Sequence, residues 1–147
     1  MQRIAVDTAA RTRTLFVVDT LEHLRRGGRI GSAAAILGSA LAVKPVLHVV
    51  DGRVVPLEKV RTSARALARL VQHVVEHAGE REVSLAVHHL AAAERADRLV
   101  TELRARVPRL RDLHVSELGA AIGAHVGPGA VGVVFCTGAE PVEEGTG

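Results

Sequence analysis

The sequence predicts an α+β fold: a sheet of mixed or antiparallel strands that contains a hairpin and is covered by helices. Asp51-Gly52 separates two β-branched apolar runs, 45–50 and 53–60, and this dipeptide is typical of the type I′ turn of a tight hairpin. Two segments downstream repeat their apolar residues on one helical face, and short valine-rich runs between and after them favour strands. The helices are predicted at 67–78 and 96–107, and these strands at 83–88, 113–118 and 131–135.

The region before the hairpin predicts one strand and two short helices. The β-branched and aromatic run 14–19 is typical of a buried strand. Thr20 is placed to cap a helix over 21–26, which the following pair of glycines would end. A second predicted helix, 31–42, is rich in small residues, so that other backbone or a ligand could approach it closely.

Composition predicts a single domain with an aliphatic core. At 147 residues the chain is long enough for one hydrophobic core, and 48% of its residues are apolar against 24% charged. It has no Trp or Tyr, and its two phenylalanines are Phe16 and Phe135. We expect the folded domain to span 14–136, with 1–13 as a linker or helix end and 137–147 as a flexible acidic tail.

Charge and cysteine content argue against several classes of protein. The net charge is +3, but most arginines alternate with acidic residues along predicted helices, and aromatic platforms are lacking, which argues against nucleic-acid binding. The lone Cys136 excludes an internal disulfide and suits a reducing compartment. The N-terminus lacks the apolar run of a signal peptide, and polar residues interrupt the apolar stretch 33–50. We therefore expect a cytoplasmic protein with no integral membrane segment.

Two histidine patterns are candidates for chemistry. His73, Glu76 and His77 form the H-x-x-E-H pattern of one group of zinc peptidases. We expect these side chains on a solvent face opposite the apolar stripe, without a third ligand, and therefore no metal site. His125 lies in a glycine-rich stretch, 123–130, where an imidazole could donate one hydrogen bond to a ligand carboxylate. From the residues alone, the alternative that His125 only ties this loop together is equally open.

Four segments spread over nearly the whole chain carry a family resemblance. They read T-L-E-H-L-R-R-G-G-R-I-G at 20–31, L-G-S-A-L-A-V-K-P-V-L at 37–47, D-G-R-V-V-P-L-E-K-V-R at 51–61 and G-A-H-V-G-P-G-A-V-G at 123–132. In this order and spacing they resemble the C-terminal domain of the bacterial DegV family, also called fatty acid kinase B-type proteins. The resemblance implies a cytoplasmic carrier of phospholipid metabolism that holds one long-chain fatty acid between two domains. It also implies that the carboxylate is presented to an ATP-dependent fatty acid kinase subunit, and that this chain has no cofactor and no catalytic residue.

The resemblance also implies roles for individual residues. His125 matches the histidine at the carboxylate, and Arg29 and Arg61 match basic positions implicated in engaging the kinase. An alternative for Arg61 is a surface ion pair with Glu58, which would contribute little. The residues that match the walls of the pocket for the acyl tail are Ile36, Leu37, Leu41, Val43 and Leu47.

Family members normally carry an N-terminal α/β domain whose Thr and Ser hydroxyls hold the carboxylate, and we expect that domain to be missing here. The isolated domain should then expose an apolar face and self-associate. Two alternatives to the carrier remain open. One is a structural or regulatory domain that has lost lipid binding, and the other is a small-molecule enzyme that uses His125 with Arg29.

Overall fold

The computed structural model describes residues 11–37 and 43–138, and this part of the chain contains both helices and strands. In chain order the elements are β1 (Thr12–Val17), α1 (Glu22–Arg26), α2 (Ala34–Leu37), β2 (Lys44–Val50), β3 (Arg53–Val60), α3 (Ser63–Ala78), β4 (Val83–His89), α4 (Ala93–Arg106), β5 (Leu110–Glu117), α5 (Ala120–Val126) and β6 (Val131–Thr137). One turn of 3₁₀-helix, Gly31–Ala33, leads directly into α2.

The strands form one sheet in the order β3-β2-β1-β6-β4-β5. Every neighbouring pair is antiparallel except β4 and β5. That pair is parallel, and because a parallel pair needs a crossover connection, the chain passes through α4 between them. The predicted class, α+β with a mixed and largely antiparallel sheet that contains a hairpin, is confirmed.

The hairpin forms where Asp51-Gly52 predicts it. β2 and β3 pair along their whole length, with one register shift between Val46 and Leu47. Asp51 and Gly52 have φ angles of 50° and 74°, and a type I′ turn requires positive values at both central positions. Local turn chemistry therefore accounts for this part of the sheet.

The first face of the sheet carries the larger core, under α3 and α4. The predicted apolar stripe of α3 is buried here, and Leu70, Val74 and Ala78 are 0% exposed. Thr62 caps the helix, because its hydroxyl accepts a hydrogen bond from the Arg65 amide at 3.1 Å. The strands contribute alternate residues to this core, among them Leu15, Val17, Val46, Leu85, Val87, Val131, Val133 and Phe135.

The opposite face of the sheet carries a smaller core, here called the second core. Successive side chains of a strand point to opposite faces, so Phe16 and Leu47 lie on this side while their neighbours lie in the first core. Its buried members are Val18, Leu21, Leu24, Ala33, Ile36, Leu47 and Ala130. The 3₁₀ turn packs directly on the hairpin backbone, and a Cβ on Gly31 would overlap the carbonyl oxygen of Val54.

Some elements differ from the predicted ones. Residues 120–126 form a helix, although the glycines at 119, 123 and 127 favoured a loop. The predicted helix 31–42 is a 3₁₀ turn followed by one α-helical turn that reaches Leu37, and residues 38–42 lie outside the described residues. β1 and β5 both begin two or three residues earlier than predicted, since pairing with a neighbouring strand extends them beyond their apolar runs.

Candidate functional site

The end of α1 is built on the pair of glycines that the sequence placed there. Gly28 has a φ of 69°, and its amide donates to the carbonyl of Arg25 at 3.1 Å. The amide of Arg29 donates to the carbonyl of Leu24 at 2.8 Å. These two bonds form a Schellman motif, in which glycine suits the left-handed position. The motif fixes the backbone of Arg29, which is exposed.

His125 lies on α5, a helix that depends on close packing. Gly119 precedes the helix in an extended conformation, and Gly127 ends it with a φ of 81°. Gly123 is buried against Leu90, and a Cβ at this position would be 3.1 Å from the Cδ2 atom of Leu90. Glycine lowers helix propensity, and the contact of Gly123 with Leu90 supports the helix at that position.

α1 and α5 pack through two reciprocal histidine–glycine contacts, here called the His–Gly interlock. The ring of His125 lies on Gly27, where a Cβ would overlap Nδ1 and would be 2.9 Å from Cε1. The ring of His23 lies on Gly127, where a Cβ would overlap Cδ2 and would be 2.7 Å from Nε2. Each helix thus supplies one imidazole and one backbone position without a side chain.

The structure corrects the predicted setting of His125. The residue occupies the last turn of α5 and not a loop. Its Nδ1 atom is buried and has no hydrogen-bond partner among the described residues. The ring is held by packing, and the residue as a whole is half-buried. An imidazole in this setting can offer its second nitrogen, Nε2, to a ligand.

The turn after α5 is held by Arg95 of α4. The Nη1 atom of Arg95 donates to Oδ1 of Asp19 at 2.7 Å and to the carbonyl of Gly129 at 3.1 Å. Gly129 has a φ of 91°, and a Cβ there would overlap the Oδ2 atom of Asp19. The Nζ atom of Lys44 donates to the carbonyl of Asp19 at 2.6 Å. The three residues Arg95, Asp19 and Gly129, here called the Arg95 clamp, join the segment after β1, helix α4 and the segment before β6.

The two arginines predicted to face the kinase are both exposed, on different elements. Arg29 follows α1, and Arg61 lies between β3 and α3. Glu58, the alternative partner of Arg61, instead accepts a hydrogen bond from Nε of Arg69 at 2.8 Å. Glu58 therefore pairs with Arg69, and not with Arg61 as the alternative had it.

The predicted tail-pocket residues are brought together in part. Ile36 and Leu47 are 7% and 0% exposed in the second core, and Val43 packs against that core. Leu37 is 39% exposed, and Leu41 lies outside the described residues. Ile36, Val43 and Leu47 thus form a packed apolar wall on the face of the sheet that also carries α1.

The H-x-x-E-H side chains do not all face solvent, and that prediction is wrong for His73. The His73 side chain is 16% exposed, and its Nε2 atom lies 2.8 Å from Oε2 of Glu58 on β3. His77 is exposed, and Glu76 accepts a hydrogen bond from Gln72 at 2.8 Å. α3 turns His73 toward the hairpin, where a carboxylate offers it a polar partner.

The ionisation of Glu58 and of His48 depends on their surroundings in the fold. Hydrogen bonds from Arg69 and His73 lower the pKa of Glu58. Burial lowers the pKa of His48, and the charge of Arg13 lowers it further.

In the described part of the chain, no three His, Cys, Asp or Glu side chains converge as metal ligands would. The absence of a bound metal stays a prediction, which elemental analysis of the purified chain would check.

Sequence reasoning missed Gly27, Gly127 and Arg95 as parts of this site. Gly27 was predicted to end a helix, and Gly127 lies in the glycine-rich stretch 123–130. Nothing in the local sequence shows that each lies under a histidine ring. Arg95 has no local signal, because it contacts Asp19 across 76 positions of sequence.

None of the helices in the described part of the chain is long and apolar enough to cross a membrane.

Comparisons with known proteins match nearly the whole chain. A family model described as an uncharacterised protein of the DegV family matches residues 2–138. A DegV domain-containing protein of Streptomyces coelicolor is 61% identical over 126 residues, which are 86% of this chain and 45% of that protein.

Two crystal structures share the fold. A fatty acid binding DegV family protein from Streptococcus agalactiae superposes with a TM-score of 0.84 at 34% identity, over 94% of this chain and 49% of that one. DegV from Bacillus subtilis, described as a fatty acid binding protein, gives a TM-score of 0.79 at 38% identity, over 92% and 48%. The chain spans about half the length of the relatives it matches. The resemblance carried by the four sequence segments is confirmed, and the chain belongs to the DegV family.

Proposed function

We propose that this chain is one half of a non-catalytic carrier of long-chain fatty acids, in which His125 supports the carboxylate of the ligand. The observation that carries the proposal is the packing of the His125 ring on Gly27, which buries Nδ1 while the residue as a whole stays half-buried. The fold is shared with proteins described as fatty acid binding, which supports the ligand class.

The apolar surface for the acyl chain is the second core and its continuation. Val43 is half-buried at the edge of this core and Leu37 is exposed at the end of α2, so these two residues present apolar surface, while Ile36 and Leu47 support it from within the core. Burial of an acyl chain contributes about 0.8 kcal/mol per CH₂ group, so a wall of this kind supplies ample affinity without specific contacts.

The carboxylate is the costly part of the ligand. A buried charge without hydrogen bonds is strongly unfavourable, and one imidazole donor compensates for only part of the cost. We therefore propose that an N-terminal DegV domain supplies the remaining donors, from the Thr and Ser hydroxyls that the family resemblance implies. The carrier site would then lie between the two domains.

The chemical step belongs to a partner in this proposal. An ATP-dependent fatty acid kinase subunit would phosphorylate the presented carboxylate, and Arg29 and Arg61 would lie on the face that meets it. Both residues are exposed, and an arginine on such a rim can pair with acidic groups of a partner. This chain then needs no nucleophile and no general base.

The proposal is tested by joining the chain to an N-terminal DegV domain and measuring palmitate binding by calorimetry. His125→Ala should weaken binding by about 1–3 kcal/mol, as expected for a lost hydrogen bond to a charged group. The matched control is His77→Ala, because His77 is exposed on α3, under the opposite face of the sheet. Unchanged affinity in His125→Ala would remove the histidine from the site. If the joined protein binds no long-chain fatty acid, the lipid-free structural domain is the better description.

The enzyme alternative makes a different prediction. A small-molecule enzyme that used His125 with Arg29 would turn over a substrate without any partner protein. Acyl-phosphate formation by the joined protein with ATP alone would favour that alternative, and formation only with a kinase subunit would favour the carrier.

A further inference from the structure

The buried Nδ1 atom of His125 has surroundings that bear on where the imidazole carries its proton. The Nδ1 atom lies against Gly27, where a Cβ would overlap it, and it has no hydrogen-bond partner among the described residues. A neutral imidazole carries one N–H, on either Nδ1 or Nε2, and the surroundings of the two nitrogens decide which.

A proton on Nδ1 is disfavoured for two reasons. The Nδ1 atom occupies the space that a side chain at position 27 would fill, so a proton there would be enclosed between the ring and α1. It would also be a buried donor without an acceptor, which loses the hydrogen bond it makes with water in the unfolded chain. An unprotonated Nδ1 avoids the extra atom, and the Cα–H groups of Gly27 can offer its lone pair a weak contact.

We propose that Gly27 is a positioning residue that selects the Nε2–H tautomer of the neutral His125 imidazole, so that the neutral ring donates its single hydrogen bond from Nε2. This inference rests on the proposed function only for the identity of the ligand, whose carboxylate oxygen would accept the hydrogen bond from Nε2. The tautomer itself follows from the packing of α1 on α5.

The rest of the interlock keeps the ring in place. The ring of His23 lies on Gly127, so α5 cannot slide along α1 without breaking a second contact. The amide of Gly127 donates to the carbonyl of Gly123 at 2.8 Å, which closes the helix directly after His125. The histidine therefore has a fixed backbone and a fixed ring edge.

The test is to measure the imidazole ¹⁵N shifts of the full chain without ligand, at about pH 8.5, where unperturbed imidazoles are neutral. The His125 signals are assigned by their loss in His125→Gln. The expected result is a pyridine-type Nδ1 and a pyrrole-type Nε2. A pyrrole-type Nδ1, or shifts averaged between the two tautomers, would overturn the proposal.

A pair of glycine variants tests the part played by Gly27. Gly27→Ala should displace the ring and move both nitrogen shifts toward the averaged values of a free imidazole. Gly119→Ala is the matched control. Gly119 lies at the start of α5, the helix that carries His125, and a Cβ there would have open space. Unchanged His125 shifts in a folded Gly27→Ala protein would overturn the role of Gly27. If that variant does not fold, the wild-type shifts still decide the tautomer.

Failure of this inference is separable from failure of the proposed function. The shifts are measured without fatty acid, whereas the carrier role is measured by palmitate binding to the joined protein. An Nε2–H tautomer without palmitate binding would retain the inference and remove the carrier. Palmitate binding with an Nδ1–H tautomer would do the reverse.

Discussion

Arg95 and Asp19, which are 76 positions apart in the sequence, form an ion pair with an N–O distance of 2.7 Å. The side chains are 35% and 45% exposed, so the charge attraction by itself contributes little. The same guanidinium also donates to the carbonyl of Gly129. That bond holds the turn directly after the helix of His125, which makes the Arg95 clamp a support of the site.

Removing the clamp should loosen this turn. Arg95→Met keeps most of the apolar stem and removes the donors, and we expect it to lower the free energy of unfolding by about 0.5–1.5 kcal/mol. Amide exchange of Gly129 and Leu90 should quicken, because the Gly129 amide donates to the Leu90 carbonyl and the Leu90 amide donates to the Ala130 carbonyl across the same turn. Arg98→Met, on the exposed side of the same helix, is the control. Equal exchange in both variants would mean that the clamp does not order the turn.

Gly31 should be much less tolerant of a side chain than Gly52, although both have positive φ angles. Alanine at either position carries the cost of a left-handed conformation, about 1–2 kcal/mol. Only at Gly31 would the new Cβ also overlap the Val54 carbonyl, which should add about 1–3 kcal/mol. Urea unfolding of Gly31→Ala and Gly52→Ala compares the two directly. Equal losses would show that the 3₁₀ turn does not rest on the hairpin.

His48 should make the fold less stable in mild acid. Its pKa is lowered in the folded state, by burial first and by Arg13 second, so the unfolded chain binds the proton more readily. The stability of the fold is therefore unaffected by His48 above the pKa that this residue has in the unfolded chain. It decreases as the pH falls from there through the lower pKa of the folded state. The urea concentration at the unfolding midpoint of wild type should therefore decrease as the pH is lowered from about 7 to 5, and it should decrease less in His48→Gln. Exposed His114 gives the control His114→Gln, which should keep the wild-type slope; an unaltered slope in His48→Gln would contradict the assignment.

Self-association of the isolated chain should depend on Ile122. This residue is 58% exposed on α5, the helix that carries His125, and is the most exposed of the large apolar residues in the described part of the chain. Burial of such a side chain in a dimer contributes about 1.5–3 kcal/mol, so Ile122→Ser should weaken a dimer by roughly tenfold or more. Sedimentation at micromolar concentrations measures this, with Val115→Ser on β5 as the control. A wild-type chain that stays monomeric would remove the expectation of an exposed association face.

Arg61→Ala, in the protein joined to an N-terminal domain, should spare palmitate binding and slow acyl-phosphate formation by the kinase subunit. Arg61 is exposed directly before the Thr62 cap of α3, and Glu58 is paired with Arg69, so a docking role for Arg61 does not compete with that ion pair. Loss of a rim charge mainly slows association and reduces its salt dependence. Arg104→Ala on α4 is the control. Equal loss of binding and phosphorylation, or loss of neither, would remove Arg61 from the docking face.

Local chemistry determined the parts of the fold that the sequence predicted well. The Asp51-Gly52 turn depends on two φ angles, and the buried stripe of α3 depends on a repeat of apolar residues along one helix. The four family segments supplied the expectation of a fatty acid ligand and the choice of His125 as a candidate contact. The turn and the helical stripe can each be read within a dozen residues.

Tertiary structure alone decided the setting of the site. α5 is placed by the packing of Gly123 on Leu90, and His73 faces the hairpin, where Glu58 on β3 is its partner. The His–Gly interlock joins two helices from opposite ends of the chain. Such contacts depend on which backbone surfaces the sheet brings within van der Waals distance, and no local propensity or periodicity encodes that distance.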